Sequence, residues 1–370
     1  MRTHPAAVAL PLLLAVPAGL SQAEVVTRFV DPLATDPGII EVELPNAGVV
    51  TKDHFVATDP SVDGHGLLFL WFPGSGAAPA QYTELTIRSG ERGYDALALT
   101  YPSWPPVNDI TTNSQDPGLP EAIRRERLFG EDLFPDFEVD EANSIVNRTV
   151  KVLESLAAAH PDEGWGDYLT PTGGLRWSRI VAGGHSQGAG HAVFLTKQFP
   201  LAGAFIFAGP GDFVQGLGTA PWVFWDQVTP PERIFAFTHV DDRTAAGFFA
   251  NQRIIGLEQF GAIQVVDGRD VSGLTSHMLT STRTITNGAA HSAIVVDEFL
   301  PRNLDGENIY LDAWTSMFDR AAVAAPEPID CAAYDFAPGN GLDGFDVAVF
   351  LEGFRAASAS GECAVQVAPQ

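Results

Sequence analysis

The segment Gly184-His185-Ser186-Gln187-Gly188 is the sharpest chemical signal in the chain. It follows an apolar run, Ile180-Val181-Ala182, and precedes the helical stretch Gly190 to Leu195. A serine on a tight strand-to-helix turn is held in a strained backbone conformation and presented outward. Glycines two positions either side remove the Cβ atoms that would collide as strand and helix close together. The turn also aims the first N–H groups of the helix at the reacting atom, so Gln187 N–H can stabilise a developing oxyanion. The spacing therefore points to Ser186 as a nucleophile. A small-residue turn without chemistry is the bland alternative. No His-Glu-x-x-His zinc spacing, phosphate-binding G-x-x-x-x-G-K-[ST] loop or strand-linked G-x-G-x-x-G unit is evident.

Such a turn needs a framework. From Gly66 to about Val323, short apolar runs alternate with amphipathic stretches, which predicts a mostly parallel sheet covered on both faces. Expected strands are Leu67 to Phe72, Asp95 to Thr100, Arg179 to Gly183, Gly203 to Phe207, Ile234 to Thr238 and Ile263 to Val266. Expected helices are Asp140 to Ala159, with Val146, Val150, Leu153 and Ala157 forming one apolar stripe, Gln187 to Phe199, and Thr244 to Leu257. Ser103 to Val139 carries five prolines and reads as an irregular insertion over the carboxyl ends of the strands.

The ends of the chain differ from its middle. A weakly basic start, the apolar stretch Ala6 to Leu20 and Ser21-Gln22-Ala23 read as a signal peptide over residues 1–23, cleaved after Ala23. Prolines 11 and 17 and its short length argue against a membrane anchor, and no later run is long enough to span. The expected location is secreted, periplasmic or at the cell surface. The linker-like Ala321 to Pro328 divides a catalytic domain, 24–325, from a module at 326–370 that holds both cysteines, Cys331 and Cys363. In an exported protein that pair reads as a disulfide.

The central motif resembles the α/β-hydrolase superfamily, in particular secreted esterase, lipase and cutinase-like members with a Gly-His-Ser-Gln-Gly turn, over roughly Phe55 to Ala322. The resemblance implies an α/β-hydrolase fold and a Ser, acid, His order. It makes the Ser75 N–H, in Phe72-Pro73-Gly74-Ser75-Gly76, the second oxyanion donor beside Gln187. After the strand ending at Thr238 come Asp241 and Asp242. Asp241, nearest the strand end, is the favoured acid, and Asp242 the cap of the next helix. His291, fifty residues beyond Asp241 on a small-residue loop, is the expected base, with His277 as competitor. Of the other histidines, His185 should point away from the site, His191 should pack or give polar support, and His239 lies near the acid. His54, His65 and His160 read as surface residues.

Tyr101, Trp104, Trp222 and Trp225, with Phe224 and Trp165, are candidates for an apolar acyl pocket, core packing being the other use of such side chains. The implied activity is hydrolysis of carboxylic esters, small or polymeric, without a cofactor. A serine peptidase or lactonase is the runner-up, and a non-catalytic binding protein on the same fold the rival from another class.

Residues Asp335 to Phe354 resemble one half of a dockerin repeat. Asp335, Asp343 and Asp346 stand at calcium-loop positions, and Val347, Phe350, Leu351 and Phe354 form a helical stripe. Ala337 and Gly339 replace expected ligands, which counts against calcium and leaves docking to a surface or protein partner as the expected role. The net charge of −25, from 46 acids and 21 bases, argues against a nucleic-acid partner and reads as solvation.

Overall fold

A computed structural model of the chain describes residues 25–325 except 112, 136, 269–272 and 286–288. The expected signal peptide, the Cys331 and Cys363 pair and the dockerin-like module lie outside the described residues. Nine strands form one sheet: β1 (Val26–Val30), β2 (His54–Thr58), β3 (Leu68–Phe72), β4 (Asp95–Ala98), β5 (Ile180–His185), β6 (Gly203–Phe207), β9 (Ile234–His239), β10 (Gln264–Val265) and β11 (Met278–Ser281). A separate two-stranded ribbon, β7 (Phe213–Val214) with β8 (Gly218–Thr219), follows β6. The order in the large sheet is β1-β2-β4-β3-β5-β6-β9-β11-β10. β1 and β2 are antiparallel to their neighbours, and the other seven strands run parallel. This large, mostly parallel sheet with covering helices fits the expected α/β-hydrolase arrangement.

The parallel strands read as continuous apolar runs because both faces are buried. In β3, Leu68, Leu70 and Phe72 face one core cluster while Phe69 and Trp71 face the other. The first cluster is closed by α4 (Ile145–Ala159) and α5 (Gln187–Gln198), the second by α1 (Thr83–Glu91) and α7 (Leu311–Ala324). The helix expected from Asp140 begins later, at Ile145, because the Ser144 hydroxyl accepts the Asn147 N–H at 3.1 Å and caps it there. The other two expected helices appear as α5 and α6 (Ala245–Ile254).

The insertion is less irregular than its prolines imply. It contains α2 (Val107–Thr111) and the eleven-residue α3 (Leu119–Phe129). Pro120 lies in the first turn of α3, where no backbone donor is needed, and Gly130 ends the helix at a left-handed φ of 74°. Its buried face is partly charged, with Arg124, Glu126 and Arg127 beside Ile123 and Leu128, so the apolar periodicity is too sparse to read. His54 is also buried, contrary to the surface expectation, and its Nδ1 accepts the Thr100 N–H at 2.9 Å.

Candidate active site

The carboxyl ends of β3, β5 and β9 deliver the candidate groups to one place, beside the point where β4 and β5 leave β3 in opposite directions, as open parallel sheets do with their ligands. Ser186 follows β5 at φ 56° and ψ −115°, and among the described residues only it and Ala208 are non-glycine residues at positive φ. A Cβ on Gly184 would lie 2.2 Å from the Gly188 carbonyl carbon, and one on Gly188 would lie 2.0 Å from the Phe72 oxygen. Both contacts are with backbone, so only glycine is tolerated at either position. Between Ile180 and Lys197 every residue except Ser186 is buried.

Two residues with a backbone N–H free of acceptors among the described residues, Ser75 and Gln187, line the same cavity as this serine. In Pro73 to Gly76, Tyr101 Oη donates to the Pro73 oxygen, Gly74 N–H donates to Tyr82 Oη, and Gly74 O accepts from Ala77 N–H. Ser75 O accepts from Asn46 Nδ2, Gly76 N–H donates to Ser103 Oγ, and Gly76 O accepts from Asn46 N–H. Ser75 N–H alone has no acceptor among the described residues, in a loop whose other polar groups are all engaged. Gln187 N–H opens α5 and is likewise without an intrahelical partner. The Gln187 side chain joins these parts, its Oε1 accepting from Ser75 Oγ (3.2 Å) and Val107 N–H (2.8 Å) while Nε2 donates to Ser103 O (3.0 Å).

His291 meets an aspartate, but not the one favoured by sequence. His291 Nδ1 lies 2.5 Å from Asp242 Oδ2, and the Asp242 side chain is 4% exposed. Asp241 is exposed and makes no hydrogen bond to His291; its N–H donates to His239 Nδ1 at 3.0 Å. The expectation that one aspartate caps while the other pairs fails because a carboxylate has two oxygens. Asp242 Oδ1 accepts the Thr244 N–H at 2.8 Å while Oδ2 takes the histidine. Burial pushes the Asp242 carboxyl up, but the His291 hydrogen bond and charge and the Thr244 N–H outweigh it and hold it below the usual range.

The competitor His277 is elsewhere, stacked between Phe235 and Phe260 with its Nδ1 on the Ile234 carbonyl. His191 is buried between Phe72 and Tyr101, as packing and polar support require. His239 is buried beside Asp241.

Ser75, Ser186, Gln187, Asp241, Asp242 and His291 line one cavity of about 260 Å³. None of Tyr101, Trp104, Trp222 and Trp225 lines it. Tyr101 is core, Trp222 is buried with Nε1 donating to Asp212, and Trp225 packs on Phe194. Trp104 faces a separate cleft with Phe137 and Val139. Tyr101, Trp222 and Trp225 therefore pack in or against the core, while Trp104 borders that other cleft.

The cavity wall instead includes Arg124, Asp212 and Arg243, which sequence reading did not single out. Arg124, from α3, holds Asp212 through Nε and Nη2 at 2.5 Å each, and its Nη1 donates to the Gln187 carbonyl at 3.2 Å. One signal was available. Gly190 is the fourth residue of α5, and a Cβ there would lie 2.0 Å from Arg124 Nη2, so a helical glycine with no turn to make marks a close approach.

No family model matches the chain, and no curated protein matches it. Solved structures do. A mutant form of the esterase rPPE is 15% identical over 85% of this chain and 86% of its own, with a TM-score of 0.39. Bacterial heroin esterase is 15% identical, covering 84% and 87%, with a TM-score of 0.37. A thermostable esterase from Pseudomonas putida is 14% identical, covering 85% and 86%, with a TM-score of 0.36. At these values the likeness carries no functional argument, and the chemistry rests on the residues.

Proposed function

We propose that the protein is a serine hydrolase of carboxylic esters. The observation that carries this reading is the contact of His291 Nδ1 with buried Asp242 at 2.5 Å, on a cavity that also holds Ser186 at positive φ. Asp242 fixes the tautomer that leaves Nε2 as an acceptor. His291 takes the Ser186 proton as Oγ attacks the ester carbonyl, and Ser75 N–H and Gln187 N–H receive the oxyanion. Collapse expels the alcohol with the proton returned by His291. Water then attacks the acyl-enzyme by the same route and regenerates Ser186.

The polar wall of this cavity, with Asn108, Arg124, Asp212 and Arg243, supports a short or polar acyl group over a long alkyl chain. Export after Ala23 and attachment through residues 326–370, with a Cys331–Cys363 bridge, belong to the same reading and are supported by sequence alone. The test is a panel of p-nitrophenyl esters of graded acyl length with wild type and Ser186→Ala. Turnover greatest for the shortest acyl groups and abolished in Ser186→Ala is expected. Equal turnover in both proteins defeats the reading, and a maximum at long chains defeats the acyl assignment.

A further inference from the structure

We infer that His185, the residue before Ser186, is a positioning residue that ties the oxyanion loop and the base loop to the nucleophile turn through one hydrogen-bonded chain. The inference rests on the roles proposed above for Ser186, Ser75 and His291. Tyr82 Oη lies 3.0 Å from His185 Nδ1, and His185 Nε2 lies 3.0 Å from the backbone oxygen of His291. Gly74 N–H, one residue before Ser75, donates to Tyr82 Oη at 3.0 Å.

The donor directions follow from chemistry. A carbonyl oxygen only accepts, so Nε2 of His185 carries the hydrogen. In the neutral ring Nδ1 is then a bare acceptor, and the Tyr82 hydroxyl donates to it while accepting from Gly74. Every donor in the chain Gly74 N–H to Tyr82 Oη–H to His185, and His185 Nε2–H to His291 O, is used once. Burial first, then the neighbouring His291, pushes His185 down to about 3, which keeps the ring neutral and this pattern intact.

The chain joins segments that are far apart in sequence. Tyr82 and His185 are separated by 103 positions, and His185 and His291 by 106. Each end falls on the backbone of a loop that carries a reacting group, so loosening it moves Ser75 N–H or the His291 imidazole relative to Ser186 Oγ. Space is closed around it: a Cβ on Gly74 would lie 3.0 Å from His185 Nδ1 and 3.3 Å from Tyr82 Oη. Misplacement of reacting groups by small distances lowers turnover more than it lowers binding.

The experiment uses the full chain and p-nitrophenyl acetate, comparing Tyr82→Phe, His185→Phe, His185→Gln and the Tyr82→Phe/His185→Phe double variant. Each Phe variant is expected to lower kcat about tenfold with KM changed less than about twofold. The double variant should be no worse than the poorer single one, because one chain is broken either way. His185→Gln, whose side-chain amide can still donate to the His291 carbonyl, should recover part of the loss.

Unchanged kcat in both Phe variants overturns the inference. So do losses that multiply in the double variant and are not relieved by Gln. Should His185→Phe fail to fold, Tyr82→Phe, which removes one oxygen, decides alone. Turnover by Ser186→Ala would instead signal failure of the esterase reading itself.

Discussion

Replacing Asp242 by Asn exchanges one carboxylate oxygen for an amide NH2 at almost constant volume, and its effect can be worked out atom by atom. Asp242 Oδ1 accepts the Thr244 N–H at 2.8 Å, so the amide oxygen of Asn stays on that side. Its NH2 then points at His291 Nδ1, which is 2.5 Å from the present Oδ2. A donor there forces Nδ1 to accept, leaving the hydrogen on Nε2, and a ring in that tautomer cannot take the Ser186 proton. The lost stabilisation of the imidazolium adds to the tautomer penalty, and together they lower kcat by about 10³ to 10⁴, or roughly 4–5.5 kcal/mol.

Asp241→Asn serves as the control, because that side chain is exposed and His291 Nδ1 pairs with Asp242 instead. It should keep kcat/KM within about threefold of wild type, as a surface change beside a site does. The assay is p-nitrophenyl acetate hydrolysis at pH 8, with thermal unfolding recorded for both variants. A larger loss from Asp241→Asn, or a loss below tenfold from Asp242→Asn at unchanged stability, refutes this reasoning.

Three other outcomes follow from the structure. His54 and His185 are buried and pushed down to about 3, so the unfolded chain takes up their protons first as pH falls below about 6.5. Stability should therefore fall between pH 6.5 and 3 by about 1.4 kcal/mol per unit for each such histidine, with Asp242 adding its loss below the ordinary carboxylate range. Urea unfolding at pH 7, 6 and 5 checks this, and His54→Gln should flatten the curve. Gly188→Ala sets a Cβ 2.0 Å from the Phe72 oxygen and should destabilise the fold by more than about 4 kcal/mol, seen as lost soluble protein or a collapsed Tm. Arg124→Ala leaves Asp212 buried without its guanidinium and should cost about 3–5 kcal/mol in denaturant unfolding, whereas the double change Arg124→Met/Asp212→Leu should recover most of it.

What sequence reveals here depends on whether a residue's role is local. The glycines around Ser186 answer to contacts within one turn and between β3 and α5, and their spacing alone carries that information. All six strands expected from apolar runs are present, because parallel strands bury both faces. The strands β1, β2 and β11 were not visible. β1 alternates half-buried with exposed positions, β2 begins with a histidine, and β11 is half polar, with Thr280 and Ser281 after Met278 and Leu279.

Sequence favours Asp241 over Asp242 only by position, because adjacent carboxylates are chemically identical until the turn after β9 sets which one faces His291. The aromatic residues were ambiguous for a related reason: burial in a core and burial in a pocket leave the same composition. Arg124 and Asp212 meet from positions 88 residues apart, which no local pattern reports.

The claim that Ser186 is the nucleophile of an esterase is tested most directly by covalent labelling. The full chain is treated with a fluorophosphonate, digested, and the adduct located by mass spectrometry. One adduct on the peptide containing Ser186, formed in step with loss of p-nitrophenyl acetate hydrolysis and absent from Ser186→Ala, is the predicted result. An adduct elsewhere, or full inhibition without modification of Ser186, would contradict it.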